Sequence, residues 1–175
     1  MVREFSAGGV VLRRMSGAWH IAAIEPEHEA AAVDAAAATT APATGARVRR
    51  RKPARKLVLA LPKGIVDAGE QPAETAVREV REETGVTAAL ITKLADIKYV
   101  YVRTWGDRER VFKIVSFFLL RYQSGRIDEI TQAMRIEVRQ AIWLPLEDAP
   151  QKLAYGGERQ VVRRALEYVT AHPDL

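Results

Sequence analysis

Cysteine is absent from all 175 residues, so neither disulfides nor thiolate metal sites are available to the chain. That suits a reducing compartment. Histidine is scarce: His20, His28 and His172 are scattered without ligand spacing and receive no role. No apolar run approaches membrane-spanning length, and the start, Met1 to Phe5, lacks the apolar core of a signal peptide. The expectation is a soluble, cytoplasmic protein with no membrane partner. No internal repeat is visible, and the length suits one domain with a real core. Acid is missing from one stretch altogether. Arg47, Arg49, Arg50, Arg51, Lys52, Arg55 and Lys56 carry seven positive charges with no acid among them, whereas the net charge is only +5, so the remainder sums to −2 (5 − 7). The basic character belongs to one segment rather than to the domain.

What is present is patterned. Phe5 to Arg13, with Val10, Val11 and Leu12, reads as a strand. After a Ser16-Gly17 turn, Trp19 to Ile24 completes a hairpin. Residues 25–56 read as an insertion between two strands. Alanine dominates it from Glu27 to Ala46, and these alanines form either a short helix or a loop. Leu57 to Leu61 reads as a strand stopped by Pro62, with a glycine-bearing loop from Gly64 to Glu70. Ala88 to Leu94, Ile97 to Arg103, Arg110 to Tyr122 and Ala141 to Leu144 read as further strands. Glu158 to Ala171 has a helical pattern. Strands flanked by two helices imply an α/β sandwich.

The most informative stretch is residues 64–86. Pro72 opens a helix, Glu74 sits in its first turn, and Gly85 follows Thr84 directly. Ala73, Ala76, Val77 and Val80 fall at helical spacing and form a buried stripe. Glu79, Glu82 and Glu83 are three and four residues apart, so they share the other face, and like charges so spaced repel. Two readings follow. A run of Glu and Arg can be a solvated helix face, or the repulsion can be offset by a hard divalent cation with oxygen ligands. Gly64 and Gly69 in the lead-in favour the second, because a compact loop against an acidic helix face makes a cradle for metal and pyrophosphate.

Gly64, Glu70, Arg78, Glu79, Glu82, Glu83 and Gly85, with Val80 and Val86, occupy every fixed position of a pattern that resembles the Nudix box, GX5EX7REUXEEXGU with U aliphatic. Chance agreement has odds on the order of 10⁻⁹ per starting position from average residue usage. The resemblance implies a Nudix-type α/β/α sandwich, with a mixed sheet and a loop–helix–loop catalytic motif. It also implies hydrolysis of a nucleoside diphosphate linked to another group, with Mg²⁺ or Mn²⁺. Glu79, Glu82 and Glu83 are then the implied metal ligands and Gly64 contributes its carbonyl. Arg78 and Glu70 match positions that orient those glutamates, and Gly85 closes the box. The general base is a box glutamate or a later one. Glu137, six residues before Trp143, resembles a Glu-x5-Trp stretch near the active site in several Nudix branches; its other reading is an exposed loop residue, and Glu129 is a weaker candidate.

Leu61-Pro62-Lys63-Gly64 resembles the entry segment of diadenosine polyphosphate and diphosphoinositol polyphosphate hydrolases. That implies a long polyphosphate such as diadenosine tetraphosphate, with Lys63 as a point charge on its oxygens. Lys113 is a second candidate phosphate contact, or simply an outward strand lysine. Tyr99, Tyr101 and Trp105 could stack on a base or pack the core. Other expectations within enzymes are nucleoside triphosphates, ADP-ribose or RNA 5′ ends. A different class is a Nudix-fold module that binds nucleotide or RNA without turnover, the basic run Arg47 to Lys56 being its RNA contact or an inert solvated loop. Either a monomer or a homodimer is compatible with the sequence.

Overall fold

A computed structural model describes residues 1–28, 56–103 and 106–175. The readings placed on residues 29–55, including all of the basic run but Lys56, and on Trp105 lie outside the described residues. Among those described, β1 (Val2–Met15) and β2 (Ala18–Pro26) form the expected hairpin. They are followed by β3 (Lys63–Ile65), α1 (Pro72–Thr84), β4 (Val86–Val102) and β5 (Arg110–Gly125). A short 3₁₀ turn (Met134–Ile136), β6 (Val138–Pro145), α2 (Ala149–Lys152) and α3 (Gly156–Ala171) complete the order.

The strands make one six-stranded mixed sheet in the order β4-β5-β1-β2-β6, with β3 also paired to β1. β1 runs parallel to β5 over Val2↔Val111 to Leu12↔Arg121, and the other pairings are antiparallel. Because β1 and β5 are central, both faces of their middle segments are covered, and Ala7 to Leu12 and Phe117 to Leu120 are continuously buried rather than alternating. Val10, Leu12, Phe117 and Leu119 pack with Val161, Val162 and Ala165 of α3. The intervening Val11, Phe118 and Leu120 pack with Ala76 and Val80 of α1. The period of two along each strand thus feeds two cores, giving the α/β/α sandwich. No helix among the described residues is long and apolar enough to cross a membrane.

Four local readings are corrected. Leu57 to Leu61 is no strand: it makes only single bridges, Ala60 to Ile24 and Leu59 to Leu153. Its ladder is interrupted because the Leu61 amide donates to the Glu158 carboxylate (2.8 Å) instead of a neighbouring strand. The loop from Gly64 begins as strand, since β3 pairs Lys63 with Gly8, Gly64 with Ala7 and Ile65 with Ser6. The two segments on either side of Leu94 are one strand, β4. Its register against β5 slips at Thr87/Ala88, Leu90/Thr92 and Lys93/Ala95, and such irregularities blur the hydrophobic alternation along a single bent strand. Finally, Glu25 and Pro26, placed at the start of the insertion, belong to β2 and pair with Gln140 and Val138.

Candidate active site

Helix α1 carries the densest chemistry, and its ends are set locally. Gln71 caps it, the Gln71 N–H donating to Glu74 Oε2 (2.8 Å), with Pro72 next. At the other end Gly85 adopts φ 79° and its N–H donates to the Arg81 carbonyl (3.0 Å), a left-handed cap that glycine takes without strain. A Cβ on Gly85 would also stand 2.5 Å from the Glu129 carbonyl oxygen. That turn is where the weaker base candidate, Glu129, is found.

Two of the three acidic residues are not on a solvated face. Glu79 and Glu83 are 8% and 6% exposed, facing β3, whereas the Glu82 side chain remains 42% exposed. Glu83 Oε2 accepts the Lys63 N–H (2.8 Å). The Glu79 carboxylate lies so close to Gly64 that a Cβ there would come within 2.1 Å of Glu79 Cδ and Oε1. Gly64 is thus demanded by proximity rather than by a special backbone angle. Burial raises the pKa of both carboxyls, that of Glu83 to about 8. The charge of Glu79 adds to the rise at Glu83, and Glu137 adds to the rise at both. Glu137 itself is exposed, at the end of the 3₁₀ turn.

Arg78 orders the box. Its Nε and Nη2 donate to Glu70 Oε1 and Oε2 (2.8 and 3.0 Å). Nη1 donates to Glu79 Oε1 (2.7 Å) and Glu82 Oε2 (3.1 Å), and Nη2 also reaches the Ile65 carbonyl (3.1 Å). The planar fork of arginine permits this bidentate hold. Hydrogen bonds from Arg78, then from Thr75, hold Glu70 down to about 2 from an ordinary 4.5. A depressed carboxylate contributes stability above its unfolded pKa and loses it as pH falls through the folded value. Glu70→Gln is therefore expected to destabilise the protein at pH 7 by about 1.5–3 kcal/mol, typical of a hydrogen bond to a charged group. The gap from the parent should narrow as pH falls from 4.5 toward about 2. Denaturant titrations across that range check it, and a gap that stays constant to pH 3 contradicts it.

The residues fit a hard divalent cation in donor chemistry. Two buried carboxylates, Glu79 and Glu83, the charge of the first raising the pKa of the second, converge beside a glycine whose missing side chain leaves them room. Among the described residues no three acidic or imidazole side chains surround a common point, and Arg78 Nη1 bridges Glu79 and Glu82.

A cleft of about 710 Å³ adjoins this cradle. Ile97 and Tyr99 of β4 and Val115 and Phe117 of β5 line one side; Tyr155, Gly157, Glu158 and Gln160 line the other, with Lys63 between. Lys63 is where cradle and cleft meet: its N–H holds Glu83 and its Nζ reaches Glu158 Oε1 (3.3 Å) and stands 5.9 Å from the Tyr155 ring. Of the proposed substrate contacts, Tyr99 and Lys63 line the cleft, while Lys113 and Tyr101 do not. Lys113 Nζ is paired with Glu4 (2.7 Å), to which the Tyr101 hydroxyl also donates (3.1 Å). Glu158, Tyr155 and Gln160 were invisible as site residues in the sequence. A glutamate in the first turn of a helix is ordinary, and nothing local ties it to Lys63.

A family model described as NUDIX domain matches residues 28–165. The chain is 36% identical over 123 residues to a Mycobacterium tuberculosis protein named for a mutator function, MutT4, covering 70% of this chain and 46% of that one. It is 30% identical over 120 residues to the asymmetrical bis(5′-nucleosyl)-tetraphosphatase of Mus musculus, covering 64% and 72%. The fold is similar to the crystal structure of a C. elegans Ap4A hydrolase binary complex, with a TM-score of 0.60, 17% identity, and 96% and 98% of the two chains covered. The chain thus spans less than half the length of the mutator relative.

Proposed function

We propose, from the premise that this chain belongs to the NUDIX family, that it is a divalent-cation-dependent pyrophosphohydrolase whose substrate is a dinucleoside polyphosphate such as diadenosine tetraphosphate. The observation that carries the hydrolase reading is the pair of buried carboxylates, Glu79 and Glu83, seated against Gly64 and the Lys63 amide. Support for the substrate comes from the cleft that continues past Lys63 between Tyr99 and Tyr155, which has room for a nucleoside beyond the phosphates. The activity for which the mouse relative is named points the same way.

Glu79 and Glu83, with Glu82 and the Gly64 carbonyl, would hold Mg²⁺ or Mn²⁺. A bound cation neutralises phosphate oxygens and makes a water more acidic. Arg78 fixes where the Glu79 carboxylate points. Glu137, exposed beside both buried carboxylates, accepts the proton of the attacking water. As the water oxygen bonds to phosphorus, the bridging P–O bond breaks and the leaving phosphate departs with its electron pair. The Lys63 ammonium, held between Glu158 and the cleft, offers positive charge to the rest of the chain of phosphates.

A second reading, hydrolysis of a nucleoside triphosphate, is favoured by a 33% identity over 104 residues to the 8-oxo-(d)GTP phosphatase of Mycolicibacterium smegmatis, covering 59% of this chain and 29% of that one. Anion-exchange product analysis separates the two. Diadenosine tetraphosphate is run with Mg²⁺ at mildly alkaline pH beside a nucleoside triphosphate, ADP-ribose and a 5′-triphosphorylated RNA. Asymmetric cleavage to ATP and AMP as the fastest reaction is the expected result. A preference for the triphosphate would replace the substrate and leave the chemistry of α1 in place. No cleavage of any member would favour a binding module.

A further inference from the structure

Glu158 lies far along the chain from the α1 box, yet its carboxylate is 3% exposed and spans the two residues that lead into it. Oε2 accepts the Leu61 N–H (2.8 Å), and Oε1 meets Lys63 Nζ (3.3 Å). Lys63 in turn gives its N–H to Glu83 Oε2 (2.8 Å), and the next residue, Gly64, is the surface on which the Glu79 carboxylate rests. A single side chain of α3 is therefore tied at both oxygens to the segment whose backbone sets the position of Glu83.

Cheaper ways exist to satisfy the Leu61 amide. A buried carboxylate is costly unless paired and hydrogen-bonded. Residue 61 sits where a strand ladder would otherwise have formed, and the chain instead takes its direction from α3. Gly157, beside Glu158, has no room for a Cβ, which would stand 2.8 Å from Ile97 Cδ1, so the start of α3 is seated firmly on β4.

We infer that Glu158 is a positioning residue for the cation cradle, acting through Leu61 and Lys63 to fix the Lys63 amide on Glu83. The inference rests on the reading of Glu79 and Glu83 as cation ligands. It differs from a merely structural role in one respect: loss of the carboxylate should loosen the cradle even where the fold survives. Partners that orient metal ligands, when removed, typically cost 10–100-fold in metal affinity or activity.

The test compares the full-length protein with Glu158→Gln and Glu158→Asp. Mn²⁺ alone is titrated and followed by electron paramagnetic resonance, and kcat and KM are measured separately. Exchange of the Leu61 and Lys63 amide hydrogens is read by NMR. Glu158→Gln keeps an acceptor for Leu61 but loses the ion pair with Lys63. Its Mn²⁺ affinity is expected to fall about tenfold or more and kcat by a similar factor, with faster exchange at Lys63. Glu158→Asp, which keeps the charge, should recover part of both. Should Glu158→Gln fail to fold, the aspartate variant with the same losses in smaller measure carries the inference, and one with parental affinity and kcat overturns it. Parental Mn²⁺ affinity and kcat in a folded Glu158→Gln would overturn the inference while leaving the hydrolase reading intact. A parent that binds no Mn²⁺ would remove both.

Discussion

Glu83→Gln is expected to lower kcat by well over 100-fold without lowering the melting temperature of the cation-free protein. The loss should exceed that of an orienting partner, for which 10–100-fold is typical, because Glu83 is read as a direct ligand. Stability should survive for two reasons. Glutamine has the same shape, and its carbonyl can accept the Lys63 N–H that Glu83 Oε2 now accepts. In addition, burial already holds the Glu83 carboxyl up to about 8, so the neutral side chain resembles the form it favours near neutral pH. Steady-state kinetics beside thermal melts in EDTA check both halves. A variant with parental turnover would end the reading of Glu83 as a ligand.

Gly64→Ala is expected to be nearly as damaging by a different route. The new Cβ would fall 2.1 Å from Glu79 Cδ, a distance real contacts do not reach, so the carboxylate or β3 must move. Overpacking of this kind typically costs about 1–3 kcal/mol, and here the displaced group is the carboxylate that Arg78 holds at 2.7 Å. We expect turnover to fall by about 100-fold, a scale set by the loss of ligand orientation. Gly69→Ala is the control. At φ 82° an alanine is strained, by roughly 1–2 kcal/mol, yet nothing lies within 4 Å of the added carbon. It should therefore lower stability and leave kcat near that of the parent. If both variants keep parental kcat, the close approach at Gly64 has no bearing on catalysis.

The features legible in the sequence are those whose causes are local. Pro72 and Gly85 bracket α1, and the helix runs over Pro72–Thr84 as that punctuation implies. The run Val10-Val11-Leu12 and its partner Phe117 to Leu120 read as strand because both faces of a central strand are apolar. Where the cause is distant, the reading failed. β4 looked like two strands because its slips against β5 break the period of two, and a slip is a property of the pair. Leu57 to Leu61 looked like a strand because nothing within it announces that Glu158 takes the Leu61 amide.

The site divides the same way. The spacing of Glu79, Glu82 and Glu83 put them on one face, but not which of them would be buried. Burial of Glu79 and Glu83 depends on β3 being folded back onto β1 beside them, through pairings such as Ala7↔Gly64. Lys113 was a reasonable phosphate candidate by residue type alone. Its ammonium is instead tied to Glu4 at 2.7 Å across the parallel β1–β5 pairing, which no reading of β5 by itself would disclose.

If the carboxylates of α1 hold a cation that hydrolysis requires, loss of either the cation or Glu83 should stop cleavage. Phosphorus NMR of diadenosine tetraphosphate incubated with the protein tests it most directly, run with Mg²⁺, with excess EDTA, and with Mg²⁺ and Glu83→Gln. ATP and AMP are expected in the first sample and unchanged substrate in the other two. Equal hydrolysis in EDTA, or by the Glu83→Gln protein, would contradict it.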